Sequence, residues 1–102
     1  MAIKKQYLKS KPICKVTFRI PGEVAKDNKT ASLVGDFNSW NPKKTKMEKL
    51  KKDGAFSVVL ELDTAKEYQF RYLLDKDIWM NESEADGHIL NEFGTENSVI
   101  KI

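Results

Sequence analysis

Two tryptophans stand out chemically, because both lie beside turns. Trp40 lies within a run of turn-forming residues, and Trp79 follows the polar turn at residues 75–77. A large indole in such a position often stays partly exposed and offers a flat apolar surface. One such tryptophan alone fits a cap on the edge of a fold equally well. Two of them, with polar side chains nearby, favour a binding surface.

Catalysis is not predicted. The only histidine, His88, and the only cysteine, Cys14, lie in unrelated loop and strand contexts, whereas a nucleophile needs a base within reach of a hydrogen bond. Asp75 and Asp77 lie in a hydrophilic turn with no apolar pocket that would raise a carboxyl pKa. We therefore expect a protein that is not an enzyme and has no catalytic residues.

The acidic run at residues 82–87 superficially resembles the start of a calcium loop, in which carboxylates alternate before a glycine. Glu82 and Glu84 are longer than the usual aspartates, and Phe93 stands where a bidentate glutamate is required. His88 has no second ligand at a useful spacing. We interpret the run as a solvated turn and expect no metal and no cofactor.

Composition indicates one globular domain: the chain has 102 residues, 40% of them hydrophobic and 32% charged. The net charge is a mild +3, and six of the ten residues at positions 43–52 are lysine. Lysine runs without arginine rarely mark specific phosphate recognition, so a solvated surface is the simpler interpretation.

Cysteine content and the N-terminal sequence suggest a location. Cys14 alone cannot form an internal disulfide, and residues 1–11 lack the apolar run of a secretory signal. We therefore expect a cytoplasmic protein with no membrane partner and no nucleic-acid partner. Single-stranded nucleic acid, which tryptophans and lysines together could bind, remains the weakest alternative.

Alternation of apolar and polar residues with a period of two predicts half-buried strands. It is clearest at residues 68–74, where Tyr68, Phe70, Tyr72 and Leu74 share one face and Gln69, Arg71 and Leu73 the other. Further strands are predicted around Val16, Phe18 and Ile20 and at residues 31–35, 56–62, 78–79 and 97–102, with a hairpin turn at Lys52-Asp53-Gly54. About seven short strands indicate an all-β, immunoglobulin-like (early set) β-sandwich.

One domain boundary is predicted along the chain. Residues 13–102 are assigned to the sandwich domain and residues 1–12 to a basic N-terminal tail. Asn41 and Pro42 also fit the N-cap and first position of a helix, so a helix after Trp40 stays open as an alternative.

The segment around Trp40 carries a family resemblance. Residues 33–42 read Leu-Val-Gly-Asp-Phe-Asn-Ser-Trp-Asn-Pro, which resembles the Gly-x-Phe-Asn-x-Trp signature of isoamylase-type carbohydrate-binding modules of family 48. Residues 68–79 and 93–97 resemble two further motifs of the glycogen-binding domains of AMP-activated protein kinase β subunits. The three motifs occur in the same order over roughly residues 13–102.

The resemblance implies a non-catalytic module that binds α-1,4-linked glucans such as glycogen, starch and maltooligosaccharides. It implies that the two tryptophans stack on glucose rings, that Arg71 replaces a sugar-binding lysine, and that Asn97 hydrogen-bonds sugar hydroxyls. The implied binding residues are Trp40, Arg71, Trp79, Phe93, Thr95 and Asn97, with Phe93 in place of a leucine. The turn before Trp79 is one residue longer than in the family.

Two partner hypotheses follow. In the first, the module tethers a glycogen-metabolising enzyme or a kinase to an α-glucan. In the second, a protein partner uses the exposed aromatic surface of the same fold, with no sugar bound.

Overall fold

The computed structural model describes residues 2–25 and 28–102, and the two residues between these ranges, which were predicted as part of a polar loop, lie outside the description. Within these ranges the chain forms short strands joined by turns. They are β1 (Ala2–Tyr7), β2 (Ile13–Ile20), β3 (Ala31–Gly35), β4 (Glu48–Lys49), β5 (Phe56–Asp63), β6 (Glu67–Leu74), β7 (Ile78–Met80), β8 (Gly87–Leu90) and β9 (Glu96–Lys101). One helical turn, α1 (Gly22–Ala25), and a 3₁₀ turn at Asp36–Asn38 complete the elements.

The strands form two antiparallel sheets. The first has the order β1-β2-β5-β4, and the second has the order β3-β6-β9-β8, with β7 also paired to β6. β3 and β7 pair with the same part of β6, residues 72–74, and therefore lie on its opposite edges. The predicted all-β sandwich is confirmed.

The core lies between the sheets, where the predicted inward-facing residues meet. Val16, Phe18 and Ile20 of β2 are fully buried, as are Phe70 and Tyr72 of β6. The Phe18 and Phe70 rings contact edge to face with centroids 5.2 Å apart, a favourable aromatic geometry. Because β6 turns these residues inward, its alternate residues point outward from the second sheet.

Residues 45–49 cross from one sheet to the other. Lys46 forms an isolated bridge with Ser32 of β3, and the next residues, Glu48–Lys49, pair with β5. The alternative of a helix beginning at Asn41 was wrong. Asn41 instead closes a single turn, in which its carbonyl and side-chain oxygens accept from Lys44 N and Lys43 N, because the chain must then extend beside β3.

The predicted hairpin turn before β5 is confirmed. Gly54 has a φ of 74°, which favours glycine, and its N–H donates to Leu50 O at 2.8 Å. Asp53 accepts from Ala55 N and pairs with Arg19 of β2, so the turn is attached to the neighbouring strand.

Two strands were not predicted. β1, within the segment predicted as a basic tail, pairs along its whole length with β2, from Ala2↔Arg19 to Tyr7↔Cys14. β8 pairs with β9 at the edge of the second sheet. In the described ranges, no helix has both the length and the apolar character needed to cross a membrane.

Candidate functional site

A concavity of about 640 Å³ lies on the outer face of the second sheet. Its lining includes all six residues predicted from the sequence, Trp40, Arg71, Trp79, Phe93, Thr95 and Asn97. Four further residues that sequence reasoning missed also line it, namely Asp36, Gln69, Asn91 and Glu92. We call this concavity the tryptophan cavity.

Gly35 brings the loop of Trp40 against β6. A Cβ atom at this position would lie 2.5 Å from Gln69 O and 2.7 Å from the Phe70 Cβ, so no other residue fits without movement of the backbone. Phe37 then turns inward, with its ring centroid 6.0 Å from that of Phe18 and 6.4 Å from that of Phe70. Loop and core are therefore one packed unit.

Asn38 holds the loop closed from within. Its Oδ1 accepts from Gly35 N at 3.1 Å, while its Nδ2 donates to Leu33 O at 2.8 Å and to Thr45 Oγ1 at 3.0 Å. Because these bonds are buried, losing them would leave unpaired polar atoms inside the protein. The glycine, phenylalanine and asparagine of this segment are thus explained by packing, whereas Asp36 and Trp40 line the cavity.

Asp36 orients the Trp40 indole. Its Oδ1 accepts from Trp40 Nε1 at 2.9 Å, and its Oδ2 accepts from Gln69 N at 2.7 Å. Trp40 has a φ of 58° and its backbone N–H donates to Gly35 O at 2.9 Å. One carboxylate therefore fixes the indole relative to β6. Asp36 lies inside the recognised motif, so its position could have marked it as part of the site.

Trp79 lies on the other side of β6, opposite Leu73 in the β6–β7 ladder. Its side chain is 43% exposed, and the Arg71 Cζ lies 5.3 Å from its ring centroid, which is a cation–π contact. The Arg71 Nε is buried and has no hydrogen-bond partner among the residues that the structure describes. A bound group could supply the missing acceptor.

The turn before Trp79 is anchored by hydrogen bonds. Asp75, with a φ of 53°, accepts from Lys29 N at 2.8 Å and from Thr30 N at 3.2 Å through its Oδ1. Its own N–H donates to Thr30 O at 2.8 Å. The turn is therefore held by bonds to the segment before β3.

Asn91 organises the third side of the cavity. Its Oδ1 accepts from Phe93 N at 2.9 Å and Thr95 N at 3.2 Å, and its Nδ2 donates to Thr95 Oγ1 at 2.7 Å and Asn97 Oδ1 at 3.1 Å. The Asn97 Nδ2 in turn donates to Gln69 Oε1 at 3.1 Å. This chain of amides reaches the floor of the cavity, while the Phe93 side chain stays 82% exposed at the rim.

The acidic run at residues 82–87 contains a buried carboxylate. The expectation of a solvated turn was therefore wrong for Glu82. Glu82 is fully buried, where Tyr72 Oη donates to its Oε1 at 2.7 Å and Glu84 N to its Oε2 at 2.9 Å. Its N–H donates to Ser98 Oγ of β9 at 2.8 Å. Burial raises the pKa of the Tyr72 hydroxyl far above its ordinary value, and the charge and hydrogen bond of Glu82 raise it further.

The charged groups of the cavity are few. Arg71 supplies one positive charge, and Asp36 and Glu92 supply two negative charges. Both oxygens of Asp36 already accept hydrogen bonds within the protein. An apolar surface of three aromatic side chains with polar amides and a small net charge suits a neutral ligand with both apolar and hydroxyl surfaces.

Residues 14–85 match the family model of carbohydrate-binding module 48, the isoamylase N-terminal domain. This match covers more than half of the chain's 102 residues. The chain belongs to this family. The matched range of the module includes Trp40, Arg71 and Trp79, whereas Phe93, Thr95 and Asn97 lie beyond it. A comparison with curated proteins found no match.

Proposed function

We propose that this module binds α-1,4-linked glucans without catalysing a reaction on them, and that its ligands are glycogen, starch and maltooligosaccharides. The observation that supports this most directly is that Trp40 and Trp79 line one cavity on opposite sides of β6. Membership of a family of carbohydrate-binding modules supports the ligand class.

Stacking on the indoles is the proposed source of affinity. A glucose ring presents its axial C–H groups as an apolar face, which lies flat on an indole, while its equatorial hydroxyls need polar partners at the edge. Gln69, Arg71, Thr95 and Asn97 offer donors and acceptors between the two indoles. Two stacking surfaces that flank a polar floor suit a curved chain of several glucose units.

We further propose that the module tethers a glycogen-metabolising enzyme or a kinase to the glucan, as the resemblance to the glycogen-binding domains of AMP-activated protein kinase β subunits implies. On this proposal the tryptophan cavity holds the glucan, and the partner is bound elsewhere on the module.

Isothermal titration with maltoheptaose tests the glucan proposal. We expect wild-type protein to bind, and Trp40→Ala and Trp79→Ala each to weaken binding by about fivefold or more, since a lost stacking contact is worth on the order of 1 kcal/mol or more. Tyr7→Ala is the matched control, because Tyr7 is an exposed aromatic residue, 56% accessible, on the first sheet.

A β-linked glucose oligomer of equal length should bind much more weakly, because its extended chain does not follow the curve between the indoles. Absence of heat and of glycogen retention for the wild-type protein would contradict the proposal. A stoichiometric protein partner lost with the tryptophans, in a protein indifferent to oligosaccharides, would instead favour the protein-interaction hypothesis.

A further inference from the structure

A second groove, of about 530 Å³, lies beside β3 and shares no lining residue with the tryptophan cavity. Its rim carries five lysines, Lys29, Lys43, Lys46, Lys49 and Lys76. Its floor includes the apolar residues Met47, Phe56 and Leu73. We call it the lysine groove.

The lysines converge through the fold, since they come from three separate chain segments. Lys29 precedes β3, and Lys76 lies in the turn after β6. Lys46 and Lys49 belong to the segment that crosses between the sheets, and Lys43 lies in the turn just before it. Only part of the lysine run at residues 43–52 faces the groove. A solvated run of lysines explains neither the contribution of Lys29 nor that of Lys76.

The positive charge of the groove is not neutralised within the described residues. The ion pairs of these residues involve Lys5, Arg19, Lys66 and Lys101, none of which lines the groove. Among the described residues of the lining, Asp75 is the one acidic residue, and its carboxylate accepts from the backbone N–H groups of Lys29 and Thr30. Within this part of the chain, five ammonium groups therefore face one carboxylate.

The floor distinguishes among anionic ligands. A small anion needs converging donors beneath it, and this floor is largely hydrocarbon. Nucleic acid favours arginine forks and exposed aromatic rings. The described lining of the groove has no arginine, and its one aromatic residue, Phe56, is only 1% exposed. The Lys49 Nζ lies 5.5 Å from the centroid of the Phe56 ring. A ligand that carries carboxylates beside an apolar side chain would match both the lysines of the rim and the apolar floor.

We propose that the lysine groove is a docking site for an acidic segment of a protein partner, whose carboxylates pair with the lysines and whose apolar side chain rests on Met47 and Leu73. This proposal is independent of glucan binding, because the groove shares no lining residue with the tryptophan cavity. A module with both surfaces can hold a glucan and a protein at the same time.

The test uses a synthetic peptide of alternating glutamates and leucines, titrated into ¹⁵N-labelled protein. We expect saturable shifts of the amides of Lys29, Lys46, Leu73 and Lys76, with those of Phe93, Thr95 and Asn97 in the tryptophan cavity unmoved. The double variant Lys46→Glu/Lys76→Glu should weaken peptide binding by about tenfold or more, since two attractive charges become repulsive. Maltoheptaose binding by the same variant should be unchanged.

The matched control is Lys4→Glu/Lys15→Glu, which makes the same change in net charge at exposed positions of the first sheet. It should retain peptide binding within about twofold, because these charges are distant and screened by salt. Equal losses in both double variants would overturn the proposal, since the peptide would then sense only net charge. Binding of inorganic polyphosphate or of oligothymidine as tight as that of the peptide would also overturn it.

Discussion

At the scale of single residues, Asp36 shows how a side chain outside the predicted set can determine the geometry of the site. The Trp40 indole has a polar edge as well as apolar faces, and a free N–H could turn toward either solvent or ligand. Asp36 accepts this N–H and the backbone N–H of Gln69 with its two oxygens. It thereby fixes the orientation of the indole relative to β6.

We therefore expect Asp36→Ala to weaken maltoheptaose binding by several-fold and to lower the free energy of unfolding by about 1 kcal/mol, because two hydrogen bonds are lost at a partly exposed position. Calorimetry and urea denaturation measure the two effects. Asp36→Asn, which keeps one acceptor oxygen, should fall between wild type and Asp36→Ala. The emission of Trp40, recorded in a Trp79→Phe background, should change in Asp36→Ala, and an unchanged spectrum would contradict the positioning role.

The residues missed by sequence reasoning share a physical cause. Alternation assigned Gln69 and Arg71 to one strand face, and the motifs singled out the six residues that the structure brings to the cavity. The residues that were missed act through hydrogen bonds of their side chains, and such bonds leave no periodic pattern in the sequence. Asn91 connects to Thr95 and Asn97 through its amide. The buried Glu82 accepts from Tyr72, 10 positions away, with its carboxylate, and donates to Ser98, 16 positions away, with its backbone N–H.

At the scale of elements, the loop after β3 contains motif residues that are needed for packing and do not line the cavity. Gly35 lies where β3 ends against β6, and the nearest backbone atom would be 2.5 Å from an added Cβ. We expect Gly35→Ala to lower the free energy of unfolding by about 2 kcal/mol or more, because the backbone of β3 or β6 must shift to relieve the overlap. Urea denaturation followed by circular dichroism measures this loss.

Gly87→Ala is the matched control for that prediction, since an added Cβ at Gly87 has no heavy atom within 4 Å among the described residues, and its φ lies outside the left-handed region. It should change the free energy of unfolding by less than about 1 kcal/mol. Similar losses in the two variants would show that backbone freedom, not overlap, explains the glycine at position 35.

The strands that the sequence predicted and those that it did not predict differ in how they pack on the core. β2, β5 and β6 pack one face on the core, so their apolar residues alternate visibly. β1 carries Lys5 on the same strand face as Ile3, where Lys5 donates to Asp86 and to Lys101 O, and a lysine at that position hides the alternation. β8 carries Ile89 and Leu90, which are 43% and 70% exposed side by side, so its sequence has no apolar face to detect.

At the scale of the whole molecule, the contacts of Asp86 join the two sheets. Its Oδ2 accepts from Lys5 Nζ of β1 at 2.8 Å and from Lys101 N of β9 at 2.7 Å. Burial acts to raise the pKa of Asp86, but the hydrogen bonds from Lys101 and Lys5 and the charges of both lysines outweigh it, so the pKa is lowered overall.

A lowered pKa in the folded state makes the contribution of Asp86 to stability dependent on pH. The contribution is fully present above the pKa of the unfolded chain, about 3.9 for aspartate, and is lost as the pH falls from there through the lower folded pKa. We expect wild type to be more stable than Asp86→Asn at neutral pH, and the difference to shrink as the pH falls below about 4. Thermal unfolding across this range measures it, and a difference that is constant with pH would contradict the assignment.

The hydrogen bonds on both edges of strand β6 make the floor of the tryptophan cavity rigid. The strand is hydrogen-bonded on one edge to β3 and on the other to β9 and β7, while Gln69 and Arg71 project from it into the cavity. Amide protons in such a strand exchange with solvent only through the rarest opening events. The floor is therefore set before any ligand arrives, so little conformational entropy is lost there on binding. If the proposed function holds, we expect selectivity among glucans of different length to depend on the loop of the exposed Phe93 at the rim, while the floor stays the same.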